Sequence, residues 1–140
     1  MDENTRALVG IRVEKSQEDL QSAQVLLEHG LFRAAVNRAY YAVFHLASAA
    51  LLTVGEERSK HSGVQSAFGQ FMVKPGHIEV EHYDTLKFAR KLREESDYRD
   101  DLVTLTAEET AALLENARQF VSRVKRYLLD VGALEDKGSS

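Results

Sequence analysis

Leu8, Val9, Val13, Leu20, Ala23 and Leu27 recur at three- and four-residue spacing, with charged residues between them. That is the period of an amphipathic helix, and it predicts one from about Thr5 to His29, stopped at Gly30. A different pattern follows. From Phe32 to Leu52 the chain reads FRAAVNRAYYAVFHLASAALL, apolar over nearly its whole length and without Gly or Pro. An Ala- and Leu-rich run of this length is helix rather than strand, and a helix apolar almost all round is a buried one. The short link at Gly30 implies that the two pack antiparallel.

The pattern then turns amphipathic again. The central helix is expected to end at Val54, with Gly55 as the stop. Ser59 is the predicted N-cap of a third helix from Lys60 to Met72, burying Val64, Ala67, Phe68 and Phe71, and Pro75-Gly76 marks a turn. A fourth helix runs from Glu79 or Val80 to Tyr98 on Leu86, Ala89, Leu92 and Phe88, and residues Arg99 to Leu105 read as a loop. Thr106-Ala-Glu-Glu109 is a capping box, in which the hydroxyl and the carboxylate satisfy free backbone N–H groups reciprocally. The last helix follows to Leu129 or Asp130. The expected fold is all-α, an up-and-down bundle of four to five helices over residues 1–131, with a flexible tail over 132–140.

Composition narrows the class. At 140 residues the chain is long enough for one domain with a real core. It has no cysteine, which excludes disulfides and thiolate sites and fits a reducing, cytoplasmic setting. The N-terminus lacks the form of a signal peptide, and Arg38 and His45 interrupt the longest apolar run, so no membrane span is expected. A net charge of −4 is unlike a nonspecific nucleic-acid binder, so any RNA contact must come from a local cationic patch.

The candidate chemistry lies on the central helix. At about 100° per residue, with Asn37 at zero, Ser48 falls near 20°, Tyr41 near 40°, His45 near 80° and Arg38 near 100°. From Ala34 to Leu52, one strip therefore carries every clearly polar group. Arg38 and His45 are about 10.5 Å apart along the axis. Burying them unpaired costs several kcal/mol, so the strip meets either a polar partner or a solvent-filled cleft. Two readings remain open: Arg38 salt-bridged in the bundle with a satisfied core histidine, or a small active site with a fixed cation beside an imidazole.

Other groups have their own pairs of readings. Arg90, Arg93 and Asp97 share a face of the fourth helix, either as a surface ion-pair ladder or with an arginine turned toward the strip. Lys60 and His61, at a helix start, are either a solvated pair or a phosphate contact. Ser48 and His45 are three residues apart, but a serine bonding back to its own helix is the commoner arrangement. No two of the five histidines have i, i+4 spacing, and Glu79-x-x-His82 is half of a di-iron motif without its second copy; no metal or other cofactor is expected. No phosphate-binding glycine loop is present.

Four segments resemble the HEPN superfamily (higher eukaryotes and prokaryotes nucleotide-binding), in its small stand-alone prokaryotic branch. They are SAQVLLEHGLFRAAVNRAYYAVFHLASAALL, SKHSGVQSAFGQFMV, FARKLREESDYRD and TAEETAALLENARQFVSRVKRYL, in the family's order over most of the chain. The resemblance implies a bundle that is usually a homodimer, and a motif of Arg, four to six residues, then His that serves metal-independent ribonuclease members. Here the motif falls on Arg38 and His45. The position after the arginine, often polar in active members, is Ala39, and Ala47 stands where some partners of minimal nucleotidyltransferases carry a modified tyrosine. The implied function is an RNA-cleaving toxin paired with a nucleotidyltransferase antitoxin. Arg38 would bind phosphate, His45 would act as acid or base, Asn37 and Tyr41 would line the site, and Lys60, His61 and Arg93 would add RNA contacts. The alternative is a non-catalytic bundle binding a nucleotide or a nucleotidyltransferase partner.

Overall fold

A computed structural model describes residues 1–98 and 105–136. The loop expected from Arg99 lies, apart from Leu105, outside them. Among the described residues the regular structure is entirely helical: α1 (Glu3–Glu28), α2 (Phe32–Leu52), α3 (His61–Phe68), a π-helical turn (Gly69–Val73), α4 (Val80–Tyr98) and α5 (Ala107–Asp130). The bundle forms around α2, which packs against each of the other four helices.

Local chemistry sets the helix ends. Asp2 caps α1, its carboxylate accepting from Thr5 N–H at 2.7 Å. Half of the expected capping box is present on α5: Thr106 Oγ1 accepts from Glu109 N–H at 3.0 Å, whereas the Glu109 carboxylate accepts from the Thr106 hydroxyl, at 3.1 Å, in place of the Thr106 backbone N–H. The chain leaves α1 and α2 through Gly30 and Gly55, with φ of +74° and +73°, the left-handed backbone that only glycine adopts without strain. The expected cap at Ser59 is one residue early. Lys60 is the N-cap of α3 and supplies no side-chain hydrogen bond.

α1 and α2 run antiparallel, and their hydrogen bonds give the register. Ser16 Oγ donates to the Ala42 carbonyl at 2.8 Å, while Asp19 meets Arg38. Alanines at 35, 39, 42, 47, 49 and 50 are buried on α2. Tyr40, Phe68, Phe120, Leu46, Leu51 and Met72 fill the interior, with the Phe68 and Phe120 rings 5.4 Å apart. Farther along, the Thr53 and Tyr127 hydroxyls, 2.7 Å apart, link the end of α2 to α5, and Arg118 of α5 donates to Gln24 of α1. Phe88, expected on the buried face of α4, is instead 53% exposed.

The single third helix expected to Met72 is divided. At Gly69 it widens into the π-turn, and Lys74 N–H reaches back five residues to the Gly69 carbonyl at 3.0 Å. A Cβ at position 69 would sit 3.0 Å from Tyr83 Cζ and 3.1 Å from Cε1, so the absent side chain lets α4 lie against this turn. Gly69→Val is expected to destabilise the fold by about 1–3 kcal/mol, the usual range for overpacking, read as a lower urea midpoint at unchanged m-value.

The end of the chain packs further than residue 131. Ala133 N–H and Leu134 N–H both reach the Leu128 carbonyl, at 2.8 and 3.2 Å, Ala133 is buried, and Leu134 rests against the core.

Candidate active site

The polar strip of α2 meets a carboxylate. Asp19, on the buried face of α1 and only 7% exposed, accepts from Arg38 Nη1 at 2.9 Å through Oδ1. Its Oδ2 lies 3.5 Å from His45 Nε2. One buried acid thus ties the guanidinium and the imidazole together across the α1–α2 seam. Arg38 also donates to Asn37 Oδ1 at 2.9 Å, and its guanidinium lies 5.1 Å from the centre of the Tyr41 ring. Neither predicted group is sealed in: the Arg38 side chain is 39% exposed and that of His45 is 23% exposed.

The electrostatics of the three groups differ. Burial pushes the Asp19 carboxyl above its ordinary range, opposed by the nearby Arg38 cation. For His45, burial comes first, and the cations of Lys15, Arg12 and Arg38 act in the same sense, pulling the imidazole down to about 4. The Asp19 carboxylate opposes this shift, but it makes its closer contact with Arg38, and burial with three cations outweighs it. At neutral pH His45 is therefore an uncharged imidazole, able to accept a proton.

A second group adjoins this one through Tyr41. The Tyr40 hydroxyl shares a 2.9 Å hydrogen bond with His61 Nδ1, and the His61 ring lies 5.7 Å from Tyr41 and 4.6 Å from Phe44. Arg93 of α4 stacks over Tyr40 at 5.0 Å and approaches Tyr41 at 5.8 Å. Burial pushes the Tyr40 phenol well above its ordinary value and lowers His61, with Arg93 and Arg90 adding to the latter. Both readings of the α4 cluster hold in part. Arg90 pairs with Glu94 at 3.0 Å and Arg93 with Asp97 at 3.4 Å, yet Arg93 also faces the strip, with Nε buried and lacking a hydrogen-bond partner. Asn37, Arg38, Tyr41, His45, His61 and Arg93 therefore form one linked set. Lys60, exposed at the start of α3, joins it only as the neighbour of His61.

Asp19 is the member that the sequence reading missed. Its signal was positional: it lies on the buried stripe Val9, Val13, Ser16, Asp19, Ala23, where an acid needs a partner. Because desolvation raises its pKa, ionised Asp19 costs stability above its folded pKa, and that cost fades as pH falls through it. Asp19→Asn is accordingly expected to match or exceed the wild-type Tm at neutral pH, the part-exposed Arg38 staying solvated. If the strip is catalytic, the same change should lower activity by about 10²-fold through misplacement of Arg38 and His45. A thermal melt beside an activity assay checks both.

Two hollows open beside the strip. One of about 530 Å³ borders His45, between Arg12 and Lys15 of α1 and Glu57, Arg58 and Ser59 of the α2–α3 link. Another, of about 370 Å³, borders Asn37 and Arg38, with Arg33 and Asp97. A larger hollow, about 710 Å³, lies between α1 and the end of α5 and shares no residue with the strip. Among the described residues no three His, Asp or Glu side chains converge as metal ligands, and no helix is long and apolar enough to cross a membrane.

Comparison with known proteins adds to this geometry. A family model described as "HEPN domain" matches residues 9–127. A protein of Methanocaldococcus jannaschii named "Putative toxin MJ0605" is 36% identical over 131 residues, covering 94% of this chain and 96% of its own. "Putative toxin MJ0142" of the same organism is 29% identical over 91% of this chain and 86% of its own. A "UPF0332 protein" of Thermotoga maritima is 33% identical over 84% of this chain and 88% of its own.

Proposed function

The chain belongs to the HEPN domain family, and from that premise we propose that it is a metal-independent endoribonuclease acting as a toxin, held in check by a nucleotidyltransferase antitoxin. The toxin role draws on the names of its M. jannaschii relatives. The observation that carries the chemistry is the pairing of a part-exposed guanidinium with a neutral imidazole on one buried carboxylate.

In this reading Arg38 binds the scissile phosphate by charge-assisted hydrogen bonds and stabilises the negative charge that grows on it. His45 takes the proton from the adjacent 2′-hydroxyl. The 2′-oxygen bonds to phosphorus, the P–O5′ bond breaks, and the leaving 5′-oxygen acquires a proton. A single imidazole does not serve both proton transfers in one step, so a two-fold dimer supplies the second from its own copy. Asn37 and Tyr41 fix Arg38, and Lys60, His61 and Arg93 contact the strand beyond the reacting bond.

The test is cleavage of a structured RNA by the purified protein in excess EDTA. Products ending in a 2′,3′-cyclic phosphate and a 5′-hydroxyl are expected, with cleavage blocked where the 2′-hydroxyl is methylated. Cleavage that requires a divalent ion, or that proceeds past the methylated position, would overturn the mechanism. A protein that cuts no RNA but captures a nucleotidyltransferase would favour the non-catalytic alternative.

A further inference from the structure

The hollow beside His45 is lined by more cations than carboxylates. Arg12, Lys15 and Arg58 face it, against the single carboxylate of Glu57. This is a local excess of cations on a chain whose net charge is −4. Two are held in place: Arg12 by Glu57 at 3.2 Å, and Arg58 by Glu56 at 2.8 Å. Lys15 has no carboxylate within ion-pair distance among the described residues. Phe44 supplies an apolar wall. The Arg38 and His45 head groups converge on the two oxygens of Asp19, and the cationic hollow borders His45 but not Arg38. A strand whose scissile phosphate sits on Arg38 and whose 2′-hydroxyl faces His45 therefore continues into the cationic hollow.

We infer that this hollow is a second phosphodiester subsite, in which Lys15, Arg58 and Arg12 hold the RNA backbone next to the bond being cut and Phe44 packs against a sugar or base. It rests on the reading of Arg38 and His45 as the cleavage site. Cations and an apolar wall suit an RNA strand, whose backbone is anionic and whose bases stack on rings. The same cations bear on the reaction, because the Lys15 and Arg12 charges that help keep His45 uncharged are neutralised when a phosphate enters. The base then gains proton affinity as the strand settles.

The experiment uses the full chain and a fluorescent single-stranded RNA methylated at every 2′-hydroxyl, so that binding is read without cleavage; an unmodified strand reports cleavage separately. Dissociation constants are measured across a salt series for wild type, Lys15→Gln with Arg58→Gln, Glu57→Gln, and Lys91→Gln as a control on exposed α4. The slope of log affinity against log salt should become shallower by about 0.7 for each phosphate contact removed, about 1.4 for the double variant. Glu57→Gln should tighten binding, a gain that misfolding does not produce. Lys91→Gln should match wild type. If the wild type cleaves and the double variant keeps its slope, the subsite is overturned and the ribonuclease reading stands. If the slope changes but nothing is cleaved, the hollow still holds an RNA backbone, but the ribonuclease reading falls and with it the place of the hollow beside a bond being cut. A wild type that binds no RNA overturns both.

Discussion

His45→Ala is expected to lower RNA cleavage in EDTA by about 10²–10⁴-fold, the usual contribution of a positioned acid or base, with much smaller change in RNA affinity. The asymmetry follows from the site. In the proposed mechanism Arg38 and the cations around the strip carry the attraction for phosphate, whereas the uncharged imidazole contributes to proton transfer. The pH profile gives an independent check. An ordinary histidine bends kcat/KM near 6.5, but His45 is pulled down to about 4. The wild-type profile should therefore stay level from neutral pH to about 5 and fall toward 4, and the residual activity of His45→Ala should lack that limb. NMR titration of the His45 ring should give the same midpoint in the free protein. For stability the sign is fixed. The unfolded chain takes up this proton near 6.5 and the folded one near 4, so stability is lost as pH falls through that window. Cleavage by His45→Ala at the wild-type rate would remove His45 from the chemistry.

Phe120→Ala is expected to cost about 3–5 kcal/mol, the range for removing a buried phenylalanine. Set against a total of about 5–15 kcal/mol for a typical domain, that is enough to leave much of the chain unfolded at physiological temperature. Phe120 is fully buried on α5, 5.4 Å from the Phe68 ring and 6.2 Å from that of His82. It joins α3, the start of α4 and α5 at once, and the rigid helices around it close only part of the gap left behind. A urea titration followed by circular dichroism measures the loss. Phe120→Leu, which keeps most of the volume, should lose far less, and equal losses in the two variants would mean that the site collapses freely.

The helices and the strip were legible because each rested on a repeated signal. On α2 the surrounding residues are so uniformly apolar that four polar side chains on one arc stand out. The Thr106 cap was legible because its hydrogen bond to Glu109 N–H is local. What was missed depended on neighbours distant in sequence. Asp19 sits beside Glu18 on a helix rich in charge, and only the packing of α2 marks it as the buried one. The π-turn begins at a glycine whose reason is the Tyr83 ring of another helix. Arg93 reads as the first half of an i, i+4 pair, which it is, while its stacking on Tyr40 depends on how α4 leans against α2. Ala133 and Leu134 lie beyond the last periodic residue of α5, and their burial comes from the reversal at Gly132, with φ of +76°.

The seam between α1 and α2 also has a kinetic consequence. Its hydrogen bonds span 26 residues from Ser16 to Ala42 and 19 from Asp19 to Arg38, whereas α5 is tied in across 74 residues at Thr53–Tyr127 and 94 at Gln24–Arg118. Short closures cost less chain entropy and form sooner. During synthesis, the hairpin that bears the guanidinium and the imidazole is thus expected to pair ahead of the docking of α5. The first part of the bundle to close is then the one that sets Asp19 against Arg38 and His45, ahead of the interior that α5 completes.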